Sequence, residues 1–164
     1  MIDKKNTNKQ KNVFPEDEII ILSEFINDKT ALMSRVIALM MDSEVYLNDT
    51  LYEVKKNLIA PIYTGKSLLL FKNNKLVGYA SWAFLTEEAE KRYIEDSNSL
   101  EVTDWGLGEN IWLIDVITPY NSKDTFKLIN HLKEVAKEKN LSWKTCKFKR
   151  VYVDGRVKIQ EVTL

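Results

Sequence analysis

The chain is poor in the residues from which most metal, redox and nucleotide sites are made. It has one cysteine, Cys146, in 164 residues, which excludes an internal disulfide. It has one histidine, His131, so no transition-metal site built from protein ligands alone is expected. Glycines number five, and the loop Trp105-Gly106-Leu107-Gly108 has too few of them, in the wrong surroundings, to cradle a phosphate. No apolar run approaches the roughly 18 to 20 residues of a membrane span. The opening MIDKKNTNKQKN is polar, without the apolar segment of a secretory signal. Net charge is zero, which argues against a nucleic-acid partner held by the chain as a whole. A cytoplasmic protein with no metal, no nucleic acid and no membrane span is the expectation.

What is present suits a globular protein: 45% hydrophobic and 29% charged residues. Residues 1–12 read as a disordered polar tail, and 13–164 as a single domain of ordinary core size. Phe14-Pro15-Glu16-Asp17-Glu18 has the marks of a helix start, and Ile19 to Ile26 would complete that helix, although Ile19 to Leu22 also passes as a strand. Asn27 or Asp28 caps a helix from Thr30 to Met41, with Leu32, Met33, Val36, Ile37 and Met40 at helical spacing. Ser43 to Tyr46 breaks that pattern. Asn48 or Asp49 opens a further helix over about Thr50 to Ala60, ended near Pro61. The runs Ser67–Phe71 and Leu76–Leu85 flank Lys72-Asn73-Asn74-Lys75 and predict a hairpin. Thr86 caps Glu87–Glu95, a strand runs from Ile111 towards Pro119, and a helix from Ser122 or Lys123 to about Lys139 buries Phe126, Ile129, Leu132 and Ala136 before Asn140 closes it. Cys146–Val153 and Arg156–Thr163 form a last hairpin about Asp154-Gly155. The fold class is therefore mixed α/β (α+β), a mixed sheet with helices packed on it.

One residue sits badly in its strand. Asp115 lies between Ile114 and Val116, and period-two alternation gives it Ile111, Leu113 and Ile117 as neighbours on one face. A carboxylate there must be hydrogen-bonded, paired or reactive, and apolar surroundings would raise its pKa and make it a better base. A structural acid capping the loop before Pro119 is the alternative. His131 falls beside the apolar stripe of its helix and reads as a boundary histidine; Cys146, between Lys144 and Lys147, reads as a plain strand residue. Charge is unevenly spread: eight acids against Lys91 and Arg92 from Thr86 to Glu109, and eight bases against Glu138 and Asp154 from Lys137 to Lys158. The two runs are either solvated faces or, at the basic end, a docking patch.

Gly78-Tyr79-Ala80-Ser81-Trp82-Ala83, Asp104-Trp105, and Trp112-Leu113-Ile114-Asp115 with Thr118-Pro119-Tyr120 together resemble the toxin-activating lysine acyltransferases, the family of the haemolysin-activating protein. The resemblance covers roughly residues 31–153 and leaves 13–29 as an N-terminal extension. It implies a fold like that of the GCN5-related N-acetyltransferases (GNAT-like). It also implies transfer of a fatty acyl group to an internal lysine of a protoxin, or of a bacteriocin-like precursor peptide. The implied donor is the acyl-phosphopantetheine of acyl carrier protein, a co-substrate and not a permanently bound cofactor; a homodimer is left open. The family's catalytic aspartate falls on Asp115, its serine on Ser43, and its catalytic histidine on Tyr46. That last departure changes the chemistry. A phenol is a poor base at pH 7 but a competent proton donor, and related N-acetyltransferase folds use tyrosine in that way. Asp115 would take the lysine proton, Tyr46 would protonate the thiolate, and Ser43 would help position one of them. Lys144, Lys147, Lys149, Arg150 and Arg156 would dock the acidic carrier. The missing phosphate cradle fits a donor that lacks the adenosine diphosphate end of coenzyme A. Two further readings stand beside this one: a coenzyme A-dependent N-acetyltransferase, and a pseudoenzyme or binding chaperone that kept the fold after losing the histidine.

Overall fold

Residues 18–138, 143–152 and 154–164 are described by the computed structural model. The order is β1 Glu18–Leu22, α1 Lys29–Met41, α2 Leu51–Tyr63, β2 Ser67–Lys72, β3 Lys75–Leu85, α3 Glu87–Glu95, β4 Asn110–Ile117, α4 Lys123–Glu138, β5 Thr145–Val151 and β6 Val157–Thr163. A single helical turn, Glu44–Tyr46, lies between α1 and α2. The six strands form one sheet in sequence order. Every pairing is antiparallel except β4 with β5, which α4 joins as a parallel crossover.

Local chemistry sets most boundaries. Asp28 accepts the Ala31 N–H at 2.9 Å and so starts α1. Thr50 and Glu53 form a capping box at the head of α2. Asn73 and Asn74, at φ 49° and 62°, supply the left-handed pair that a tight hairpin demands. Thr86 caps α3 with acids in its first turn.

Helices cover both faces of the sheet. On one, Leu128, Leu132 and Val135 of α4 pack on Leu68, Leu70, Trp82 and Leu113. Gly78 lets Leu128 seat there, since a Cβ would stand 3.2 Å from its Cδ1. On the other, α1 and α2 bring Leu32, Val36, Leu39, Leu58 and Ile62 onto Leu69, Tyr79 and Ile117. Beside them α3 and the loop before β4 add Tyr93 and Trp105 against Ala83, Leu85 and Trp112. Gly108 pins that loop, its N–H donating to the Phe84 carbonyl at 2.9 Å. Any Cβ there would overlap the Leu85 backbone at 1.9 Å.

Three expectations are corrected. Of the two readings open for Ile19 to Leu22 the strand holds and the helix to Ile26 does not, because Ile19, Ile20 and Ile21 pair with Phe71, Leu70 and Leu69 and complete the β2 edge. The helix cap before α2 is Thr50, and the helix runs through Pro61 to Tyr63, where the Thr64 N–H and hydroxyl both bond the Ala60 carbonyl. Phe126 is 67% exposed; the buried stripe of α4 is turned onto Leu128, Leu132, Val135 and Ala136. The predicted tail 1–12, the helix start at Phe14 to Asp17 and the closing Asn140 lie outside the described residues.

Candidate active site

The site forms where the β3–β4 ladder breaks step. Ser81 faces Asp115, but the next registered pair is Trp82 with Leu113, so β4 carries one extra residue at Ile114. Such a bulge re-aims the side chains beyond it. Asp115 therefore lies on the face with Trp112 and Ile117, while Ile111 and Leu113 belong to the opposite, α4-covered face. The neighbours inferred by simple alternation hold for Ile117 only.

The Glu44–Tyr46 turn reaches over this point. The Ser43 carbonyl accepts the Tyr46 N–H at 3.1 Å, and the Tyr46 hydroxyl donates to Asp115 Oδ1 at 2.9 Å. Both residues are half-buried. Burial raises the Asp115 carboxyl from 3.8 to about 6, with Asp49 adding to the rise and the Tyr46 and Ser81 hydroxyls opposing it. Burial, and then the Asp115 charge, push the Tyr46 phenol far above its ordinary value. At neutral pH the pair is a carboxylate that accepts a hydrogen bond from a protonated phenol.

Beneath it lies a layer of buried hydroxyls. Ser67, Ser81 and Asp115 stand opposite one another across β2, β3 and β4. Tyr79 shares their face of β3. The hydroxyls of Ser67, Tyr79 and Ser81 are buried, and none has a partner at full hydrogen-bond geometry among the described residues. Ser81 leans on both the carboxylate and the Tyr79 phenol, and Ser67 on that phenol, close enough to favour each ionised form. The Asp115 charge also reaches Tyr93 of α3, whose phenol is raised chiefly by burial. No sequence signal singles out Ser67, Ser81 and Tyr79 as a layer; it emerges from strand register.

The other residues singled out in the sequence go to different places. Ser43 heads the turn that aims Tyr46, but its hydroxyl caps nothing there. In the basic group, Lys147 donates to Glu90 at 2.7 Å, and Glu90 also accepts the Trp112 indole N–H at 2.7 Å. Lys149 donates to the Tyr93 carbonyl and to Ser97 Oγ, and burial lowers its pKa. These two lysines tie α3 to β5, so the acidic and basic runs partly neutralise each other. Arg150 and Arg156 stack on Tyr152, with Arg156 paired to Asp154 at 2.6 Å, and Lys144 is exposed. His131 sits at the boundary beside Glu134, at 3.3 Å. Cys146 is buried, and burial pushes its thiol up to about 11. Among the described residues no three His, Cys, Asp or Glu side chains form a metal-holding group, and no helix is long and apolar enough to cross a membrane.

β4 and β5 are registered only through Trp112 with Lys147 and Leu113 with Phe148. From Ile114 onward, among the described residues, β4 has no registered partner in β5, so Asp115 lies where the parallel pairing has ended.

Comparison with known proteins bears on this arrangement. The fold is similar to an acetyltransferase chain of Pyrococcus horikoshii (TM-score 0.53, 12% identity, 92% of this chain and 44% of that one). It is also similar to the loading GNATL domain of CurA from Lyngbya majuscula (TM-score 0.54, 13% identity, 82% and 65%). The mixed sheet is thus GNAT-like. In sequence the chain is 35% identical over 103 residues to the RTX-II toxin-activating lysine-acyltransferase ApxIIC of Actinobacillus pleuropneumoniae, 63% of each chain. It is 33% identical over 108 residues to the protein-lysine myristoyltransferase RtxC of Kingella kingae, 66% of this chain and 64% of that one. It is 31% identical over 107 residues to the protein-lysine palmitoyltransferase CyaC of Bordetella bronchiseptica, 65% and 58%. The matched stretch spans under two thirds of each of these relatives. The family model for HlyC, the RTX toxin acyltransferase family, matches residues 26–161, so β1 lies before it.

Proposed function

The chain belongs to the RTX toxin acyltransferase family, and from that premise we propose that it is a lysine N-acyltransferase, moving a fatty acyl group from acyl carrier protein to an internal lysine of a protoxin or precursor peptide. The observation that carries this reading is the 2.9 Å hydrogen bond between Tyr46 and an Asp115 raised to about 6. An acid so placed is mostly ionised at neutral pH yet basic enough to accept a proton from an attacking amine.

The steps balance. The lysine nitrogen attacks the thioester carbonyl; the C–N bond forms and the C–S bond breaks. Asp115 takes the amine proton, and Tyr46 gives its own to the departing thiolate. Burial is the larger cause of the phenol's raised pKa and the Asp115 charge the next, so proton arrival at Asp115 removes the second and makes Tyr46 a stronger acid than it was before. The proton on Asp115 then returns to the phenolate through their shared hydrogen bond. The products are an amide and a free thiol, with no acyl-enzyme.

The end of the registered β4–β5 pairing at Leu113 supports a donor presented as an extended arm, whose amides could hydrogen-bond to β4 beyond that point as an added strand does. Lys144, Arg150 and Arg156 are the solvent-facing part of the basic group and would meet the carrier, and Ser43 would fix the turn that aims Tyr46. Intact-mass analysis of a candidate acceptor after incubation with acyl carrier protein tests the reading. An added acyl mass that disappears with Asp115→Asn is expected; acylation undiminished in that variant overturns it.

A further inference from the structure

The connector that delivers Tyr46 has an unusual surface. Met41, Val45, Leu47, Leu51 and Tyr52 are 69%, 77%, 63%, 85% and 64% exposed. Tyr46 is the large side chain of this stretch that turns inward, to Asp115. The segment that carries Tyr46 to Asp115 thus leaves five apolar side chains exposed, more than singly scattered surface residues would account for.

Its charge has one sign. Between Arg35 and Lys55 the chain carries Asp42, Glu44, Asp49 and Glu53 and no base. Glu53 serves Thr50 and Asn98, and Asp42 accepts the Tyr120 hydroxyl. The cations nearest these two acids lie at the margins, with Lys56 over the Tyr52 ring and within reach of Glu53, and Lys75 over the Tyr120 ring. Glu44 and Asp49 are exposed beside Tyr46, and the Asp49 charge is felt by both Tyr46 and Asp115. Such a face attracts a cationic partner and repels an acidic one, which disfavours both an acidic carrier protein and an anionic lipid surface.

We propose that Met41–Tyr52 is the acceptor-docking face, and that it takes a polypeptide segment in which the target lysine is flanked by aliphatic and basic residues. The choice of lysine rests on the acyl-transfer reading; the aliphatic and basic flanks rest on the face alone. Donor and acceptor then approach by different routes: the donor beside β4 where its pairing with β5 ends, the acceptor over the acidic connector. The partner's aliphatic groups cover the exposed ones, and its bases meet Glu44 and Asp49 while the central lysine enters between Val45 and Leu47 towards Tyr46.

The probe is a short synthetic peptide with a central lysine flanked by leucines and arginines, read by fluorescence anisotropy. The control peptide has each arginine replaced by glutamate. The wild-type protein is expected to bind the basic peptide at least roughly 10-fold more tightly than the acidic one. The exposed double variant Leu47→Ser/Leu51→Ser, and separately Glu44→Lys, should each weaken it by about 10-fold. Their melting temperatures should match wild type, since neither change touches a buried group. Equal binding of the two peptides, or unchanged binding by both variants, overturns the proposal. So does loss of acyl carrier protein binding, or a shift from dimer to monomer in sedimentation, in those variants, because the face would then belong to the carrier or to a second copy. Tyr46→Phe, tested in parallel, keeps the two readings apart. Peptide binding that persists when wild-type protein transfers no acyl group sinks the transfer reading alone; transfer that is indifferent to the connector variants sinks the docking face alone.

Discussion

Asp115, half-buried, and Asp124, buried, are both acids set into the body of this protein, and what faces them differs. Asp124, at the head of α4, is 1% exposed and receives the Lys72 ammonium on both oxygens, at 2.7 and 2.9 Å, with Lys127 at 3.7 Å. Asp115 receives a neutral phenol and lies over buried hydroxyls, and among the described residues no lysine or arginine pairs with it. A cation beside the first compensates its desolvation and makes it a fixture that joins β2 to α4. The absence of one beside the second leaves the cost of ionisation in place, and that cost is what makes the carboxylate want a proton.

Substituting both residues alike should give opposite results. Asp115→Asn removes the base, and transfer should fall by roughly 10³-fold. Stability should move the other way. A carboxyl raised from 3.8 to about 6 favours the fold while protonated, so its contribution is present below pH 4 and lost as pH rises through 6. By pH 7.5 the ionised group costs the fold on the order of 3 kcal/mol. Asp115→Asn should therefore raise the melting temperature at pH 7.5 and leave it nearly unchanged at pH 4. Asp124→Asn should lower it, by about 2 kcal/mol of stability at pH 7.5, with transfer kept in the folded fraction. A drop in melting temperature for both variants would erase the distinction.

Tyr46→Phe keeps the ring and removes the donor; transfer should fall roughly 10²-fold while the fold stays intact. Wild-type turnover from this variant would end the case for the phenol. It also sharpens the contrast, because Asp115 then loses the hydrogen bond that opposes its raised pKa, and the acidic limb of kcat/KM against pH, expected near 6 in the wild type, should move upward. Ser81→Ala should do the same more gently, with a few-fold loss at pH 6 and little at pH 8. A limb that does not move in Ser81→Ala would mean the buried hydroxyl layer does nothing for the carboxylate.

Much of this was legible in the residues, for reasons that can be named. The Asn73-Asn74 turn, the Thr86 cap and the apolar period of α1 are local signals, and the elements they predict are present. Asp115 stood out because nothing within β4 explains it. What strand alternation could not supply was the extra residue at Ile114, since a bulge is defined by the partner strand; one step of register moved Asp115 from the face of Leu113 to that of Trp112. The row Ser67–Ser81–Asp115 was hidden for the same reason, being a property of three strands at once. The double life of the basic run was hidden too: Lys147 and Lys149 look solvated in sequence, yet in space they serve α3.

The smallest expected effect concerns Cys146, another titratable group held in the sheet interior. Burial disfavours the charged form of any acid, so the same physics that raises Asp115 to about 6 raises this thiol to about 11. The outcomes differ because the starting points differ. An acid that begins near 4 is brought into the range where it exchanges protons at neutral pH, whereas a thiol that begins near 9 is carried out of it. Cys146 should resist iodoacetamide in the native protein at pH 7.5, and Cys146→Ala should leave transfer within about 2-fold of wild type, since only the thiolate is nucleophilic. Rapid alkylation of the folded chain, or a large loss of transfer in the alanine variant at unchanged melting temperature, would show a thiolate at work and return the possibility of an acyl-enzyme to the mechanism.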